Sequence, residues 1–108
     1  MNGIEFKANG TPYTLKMGTL AMARYERASG ESIIDGLTKL ETNPSILTIL
    51  GLFRAALSET LTEEEAADVI DELGFAHAVD LLGKAAARSF TPDKEPEENP
   101  KKPSKKTR

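Results

Sequence analysis

The residues in this chain with types suited to chemistry are few and scattered. There is one histidine, His77, and no cysteine. A lone histidine serves as a general base only with an orienting acid and a nucleophile beside it. Asp80 lies within one helical turn of His77, but no serine motif is nearby, so His77 reads as a solvated surface side chain. Without cysteine there is no disulfide framework, thiol nucleophile or cysteine-based zinc site. The densest acidic run, Glu63-Glu64-Glu65, follows Thr62. A threonine with glutamate three residues later is a helix-start signal, and acid there faces the positive end of the helix dipole. No DxDxDG-type calcium loop follows, and GxxxxGKS/T, GxGxxG and HExxH patterns are missing. The expectation is a protein that is not an enzyme, with no catalytic, cofactor-binding or metal-binding residues.

Composition narrows the class further. At 108 residues the chain suits one domain with a modest core. Residues 91–108 carry six basic and four acidic residues and four of the six prolines, with no large apolar residue. Such a stretch cannot bury enough surface to offset its ordering entropy, so it is expected to be a disordered tail behind a domain spanning residues 1–90. The tail is net basic, and the body carries the acidic excess. An acidic body argues against duplex DNA as the main ligand. The start lacks the basic and apolar runs of a secretory signal, and ILTILGLFRAAL is too short to span a bilayer and contains Arg54. A soluble cytoplasmic protein without membrane contact is expected.

The elements that would position any site read mainly as helix. Ile4-Glu5-Phe6-Lys7 and Tyr13-Thr14-Leu15-Lys16 alternate around Asn9-Gly10, the mark of a β-hairpin. Either a two-residue Asn9-Gly10 turn or a four-residue NGTP loop places Ile4, Phe6, Tyr13 and Leu15 on one apolar face. About five short helices should follow. The first has Thr19 as N-cap, Ala21, Met22, Tyr25 and Ala28 along one side, and Gly30 as its stop. Ser32 and Asp35 start the second, striped by Ile33, Ile34, Leu37 and Leu40 and ended by Thr42-Asn43-Pro44. The third, about 44–58 with Asn43 as its cap, is apolar nearly all round and belongs at the centre. Its gap is a small-residue strip of Thr48, Gly51, Ala55 and Ser58. The fourth starts at Thr62, buries Ala66, Val69, Ile70 and Leu73, and ends at Gly74. The fifth, roughly 75–90, should turn Phe75, Val79, Leu82 and Ala86 inward, with His77, Asp80, Lys84 and Arg88 along a wet edge.

The fold class is therefore mainly α (α+β): an N-terminal hairpin followed by helices packed round a central apolar helix. As a helix-turn-helix reader of DNA the last two helices are poorly equipped. The would-be recognition helix has only Lys84 and Arg88 as cations, both late, whereas base contacts come from its start. An interaction protein remains, with two candidate surfaces: the hairpin's strand edges and the small-residue strip. Each has an alternative reading as plain intramolecular packing.

The order of residues adds a resemblance. NGxxYxLxMGTLAMARYERASGES, carried by Asn9, Gly10, Tyr13, Leu15, Tyr25, Glu26 and Gly30, resembles the opening of small tail-assembly proteins of long-tailed phages and gene transfer agents. LTEEEAADVIDELGF followed by an Ala-rich helix ending in Ser89-Phe90 is similar to that group's second half, so the likeness covers about residues 4–90. It implies a tail assembly chaperone, which keeps the long apolar tape measure protein soluble while tail tube subunits polymerise around it. Tyr13, Tyr25, Glu26 and Phe53 are the partner-binding residues it implies. It leaves room for tail tube subunits and further copies of the chain as partners, and implies work in the cytoplasm of a bacterial host. Relatives in gene transfer agents are also described as tail tube proteins, which would make the chain a structural tail component. Tube subunits need extended sheets, and strand signals here occur only at the start. A small DNA-binding regulator is the rival from a different class.

Overall fold

In the computed structural model, residues 3–90 are described; the expectation for the tail at 91–108 lies outside them. Two strands, β1 (Ile4–Ala8) and β2 (Thr11–Leu15), precede five helices. These are α1 (Thr19–Ser29), α2 (Ile33–Thr42), α3 (Ile46–Ala56), α4 (Glu63–Leu73) and α5 (Phe75–Phe90). The mainly helical α+β expectation holds, and α3 is the centre: it packs against each of the other four helices.

Asn9 and Gly10 have φ of 54° and 78°. Both are left-handed, as a two-residue hairpin turn of this hand requires, so the shorter turn is the one formed. Ile4 pairs with Leu15, Phe6 with Tyr13 and Lys7 with Pro12. A lone hairpin is marginal in water. This one rests its apolar face on helices: Phe6 stacks on Tyr13 at 5.6 Å and meets Phe53 of α3 edge-on at 5.8 Å. Leu15 and Met17 are fully buried beneath it.

Several boundaries differ from the sequence reading. Gly18, not Thr19, is the N-cap of α1, and no side chain caps that end. The chain leaves β2 extended through Gly18, whose carbonyl accepts from the Met22 N–H at 3.0 Å. Gly30 ends α1 at φ 80°, as expected. Ser32 caps α2 by accepting from the Asp35 N–H, but Glu26, reaching over from α1, accepts the Ile33 N–H at 2.9 Å. Helix α3 begins at Ile46 because Ser45, rather than Asn43, supplies the capping hydroxyl, accepting from the Thr48 N–H at 3.1 Å. Asn43 instead closes α2 through its N–H to the Lys39 carbonyl. At its other end α3 stops at Ala56, since Leu57 turns extended and bridges Leu15 beside β2.

The α4 capping box between Thr62 and Glu65 is formed in both directions. The inward face of α5 is rotated from the expected one: Ala78, Leu81, Leu82 and Ala85 are buried, while Phe75 is exposed and Val79 and Ala86 are half-buried. Small alanines let the helix lie close to its neighbours, so residue size, not hydrophobicity alone, chose the face. Asp80 and Lys84 form the expected i,i+4 ion pair at 3.1 Å. Helix α3 is less uniformly buried than its composition suggests. Ile46 and Leu47 at its start stand in solvent, Leu47 at 78% exposure.

Candidate functional site

Two junctions involving α2 are the places where side chains converge into something beyond plain core. The first is built around Tyr25 of α1. Its ring passes between two helix-interior glycines, and is only 2% exposed. A methyl added at Gly36 of α2 would lie 2.6 Å from the ring, and one at Gly51 of α3 would lie 3.3 Å from it. The small-residue strip is thus occupied from within: Thr48 and Ala55 are buried, Gly51 receives Tyr25, and Ser58 lies past the helix end, its N–H on the Thr14 carbonyl.

The Tyr25 hydroxyl donates to Glu31 Oε2 at 2.5 Å, and Lys39 Nζ donates to Glu31 Oε1 at 2.6 Å. Burial, then the hydrogen bond and negative charge of Glu31, pushes Tyr25 up to about 12. The hydrogen bonds from Lys39 and Tyr25 hold the Glu31 carboxyl below its ordinary range, and Glu31 in turn raises Lys39. At neutral pH the phenol is a proton donor, the carboxylate is already met by donors, and the amine stays charged. No member is poised to exchange a proton with a substrate. The array ties the end of α1 to α2. A cleft of about 500 Å³ opens beside it, edged by Tyr25, Glu31, Lys39, Leu47, Arg54 and Glu63.

The second junction is an open apolar groove of about 310 Å³ between α2 and α5. Ile34, Leu37, Thr38 and Glu41 form one wall, and Gly83, Ala86, Ala87 and Phe90 form the other. Both sets repeat at i, i+3, i+4 and i+7, so each helix offers one face over two turns, about 10 Å of length. Ile34 is 57% exposed and Phe90 51% exposed. Both helices pack on α3, and their facing sides leave the space between them unfilled.

Of the implied partner-binding residues, Phe53 is fully buried under the hairpin and Tyr25 lies in the core, so neither offers surface to a partner. Tyr13 is half-buried against Phe6, and Glu26 is exposed with its carboxylate engaged at the start of α2. The four are not gathered: Tyr13 and Phe53 lie either side of Phe6, while Tyr25 and Glu26 belong to the α1–α2 side. His77 is exposed on α5, as expected. Ile34, Leu37 and Phe90, which line the groove, were not marked as site residues by the sequence. The adjacent pair Ile33-Ile34, which cannot point the same way on a helix, was the available signal. Among the described residues no group of three or more His, Asp or Glu side chains is arranged to hold a metal. Searched against protein-family models, curated proteins and solved structures, the chain matches none of them.

Proposed function

We propose that this protein is a non-catalytic tail assembly chaperone of the phage type, which holds an amphipathic helix of the tape measure protein in the α2–α5 groove. The groove carries this reading: an apolar channel two helical turns long is the shape that receives a helix anchored at i, i+3, i+4 and i+7. Gly83, Ala86 and Ala87 form a low wall that lets a helical backbone approach closely, with Ile34 and Phe90 at the exposed edges. The resemblance of residues 4–90 to small tail-assembly proteins supplies the client. A short apolar contact made repeatedly along a long client suits transient holding, where many weak sites act together. The place of action in this reading is the bacterial cytoplasm before the tail closes. Among the described residues no helix is long and apolar enough to cross a membrane.

Co-expression with a phage-type tape measure protein tests the reading. The client is expected to become soluble and to co-purify with the wild-type chain. Ile34→Asp combined with Phe90→Asp is expected to lose most of the recovered client while keeping the helical circular dichroism spectrum. A client that stays insoluble and unbound beside the wild-type chain sinks the proposal.

A further inference from the structure

The two outer edges of the hairpin are not equivalent. Residues 4, 6 and 8 bond across to β2, so Glu5 and Lys7 direct their backbone groups outward from β1, as Pro12, Thr14 and Lys16 do from β2. The β2 edge is closed. Pro12 has no N–H, the Thr14 carbonyl accepts from the Ser58 N–H at 2.9 Å, and the Lys16 N–H donates to the Ala56 carbonyl at 2.8 Å. Glu59 Oε1 faces the Thr14 N–H at 3.4 Å. On β1 the end of the edge is also closed, because Arg88 Nη1 donates to the Gly3 carbonyl at 2.9 Å. Between that contact and the turn, the N–H and C=O of Glu5 and Lys7 meet no partner among the described residues. Both side chains are exposed.

We infer that this open stretch of β1 pairs antiparallel with the same stretch of a second copy, about a two-fold axis through Phe6, giving a continuous sheet across the dimer. The charges select that register. Centring the axis on Glu5 would set Glu5 against Glu5, and centring it on Lys7 would set Lys7 against Lys7. Like charges directly opposite are destabilising. Centred on Phe6, each Glu5 lies opposite Lys7 of the second copy, and every outward N–H and C=O of these two residues finds a partner. The half-buried Phe6 rings then meet on the apolar face at a non-hydrogen-bonded pair, where strands approach most closely. A strand with one acid and one base placed symmetrically about an aromatic is self-complementary under a two-fold, which is why a copy of this chain is the occupant. The pairing is separate from the α2–α5 groove and does not rest on it. The contact is small, so the dimer is expected at the weak end of specific interfaces.

Sedimentation velocity on the full chain at low ionic strength, over a concentration series, reads the dimer. The wild-type chain is expected to dimerise reversibly. Glu5→Lys and Lys7→Glu are each expected to weaken the dimer on the order of tenfold by replacing attraction with repulsion twice per interface. An equimolar mixture of these two variants should regain it, since each Lys then faces a Glu. Lys7→Pro removes an outward donor that the hairpin itself does not use, and is expected to leave the circular dichroism unchanged and the chain monomeric. A wild-type chain that stays monomeric to about 1 mM, with or without a foreign peptide protecting the Glu5 and Lys7 amides from exchange, overturns the inference. So does a dimer that is indifferent to Lys7→Pro, or a mixture of the charge variants that stays apart.

Discussion

Helix α2 borders two junctions of opposite character. Towards α1 and α3 it presents Gly36, and the space a side chain would have filled is taken by the Tyr25 ring, whose hydroxyl ends on Glu31. Towards α5 it presents Ile34 and Leu37, and nothing fills the space opposite. The first junction is closed at the ring and its polar atoms are satisfied, with the cleft of about 500 Å³ lying to one side of it. The second is apolar and open. A small domain has few contacts to spare for stability, and the apolar walls left apart on this side of α2 are the observation on which the proposed client contact rests.

The largest effect should come from breaking the closed junction. Gly36→Ala forces a methyl to within 2.6 Å of a ring that Gly51 flanks and Glu31 anchors. Overpacking of this kind costs about 1–3 kcal/mol, against which the better helix propensity of alanine returns only ~0.5–1 kcal/mol. Urea unfolding should show the midpoint falling with an unchanged slope. Gly51→Ala, with its methyl at 3.3 Å, should cost less. If the two are equal, the ring is not held as tightly as its contacts imply.

Removing only the hydroxyl gives a smaller effect. Tyr25→Phe keeps the ring and loses its hydrogen bond, for about 1 kcal/mol. Its sharper signature is in pH. The folded chain holds the Tyr25 proton up to about 12, above the ordinary 10.0. Its contribution to stability is therefore complete below pH 10 and is lost as pH rises from there through about 12. The slope of unfolding free energy against pH in that window should be absent from Tyr25→Phe. Glu31 contributes with the opposite sense, its share present above pH 4.5 and lost as the pH falls further. Ultraviolet titration in a Tyr13→Phe background, where Tyr25 is the only tyrosine, should show ionisation near pH 12.

The smallest expected effect belongs to the open junction. Ile34→Ser and Phe90→Ser remove exposed apolar atoms from the groove and should change stability by no more than ~0.5 kcal/mol. If either destabilises the chain as much as Gly36→Ala, the groove is part of the core and the contrast between the two junctions fails.

Much of the frame is legible in the sequence. The hairpin and its apolar face, the Gly30 stop and the Thr62–Glu65 capping box follow from local chemistry, because each is decided within a few residues. The choice of the two-residue turn over the NGTP loop, and with it the register, came from the structure. The misread positions share a different cause. Asn43 and Thr19 are good caps by type, but neighbouring Ser45 and the extended exit from β2 set where α3 and α1 begin. The inward face of α5 was misplaced because Phe75 looked like core, and close packing favoured Ala78 and Ala85 instead. Tyr25 and Phe53, singled out as partner residues, turned out to hold the interior.

By itself, the sequence determined the elements: where the chain turns, which segments are helical, and that α3 lies at the centre. These rest on periodicity, capping and backbone stereochemistry, all short-ranged. Only the tertiary structure decided which surfaces remain. That Gly36 receives Tyr25, that α2 and α5 stand apart, and that residues 56–59 close one strand edge and leave Glu5 and Lys7 open are outcomes of segments distant in the chain meeting in space. Such meetings depend on the shapes of several side chains at once, and no local pattern encodes them.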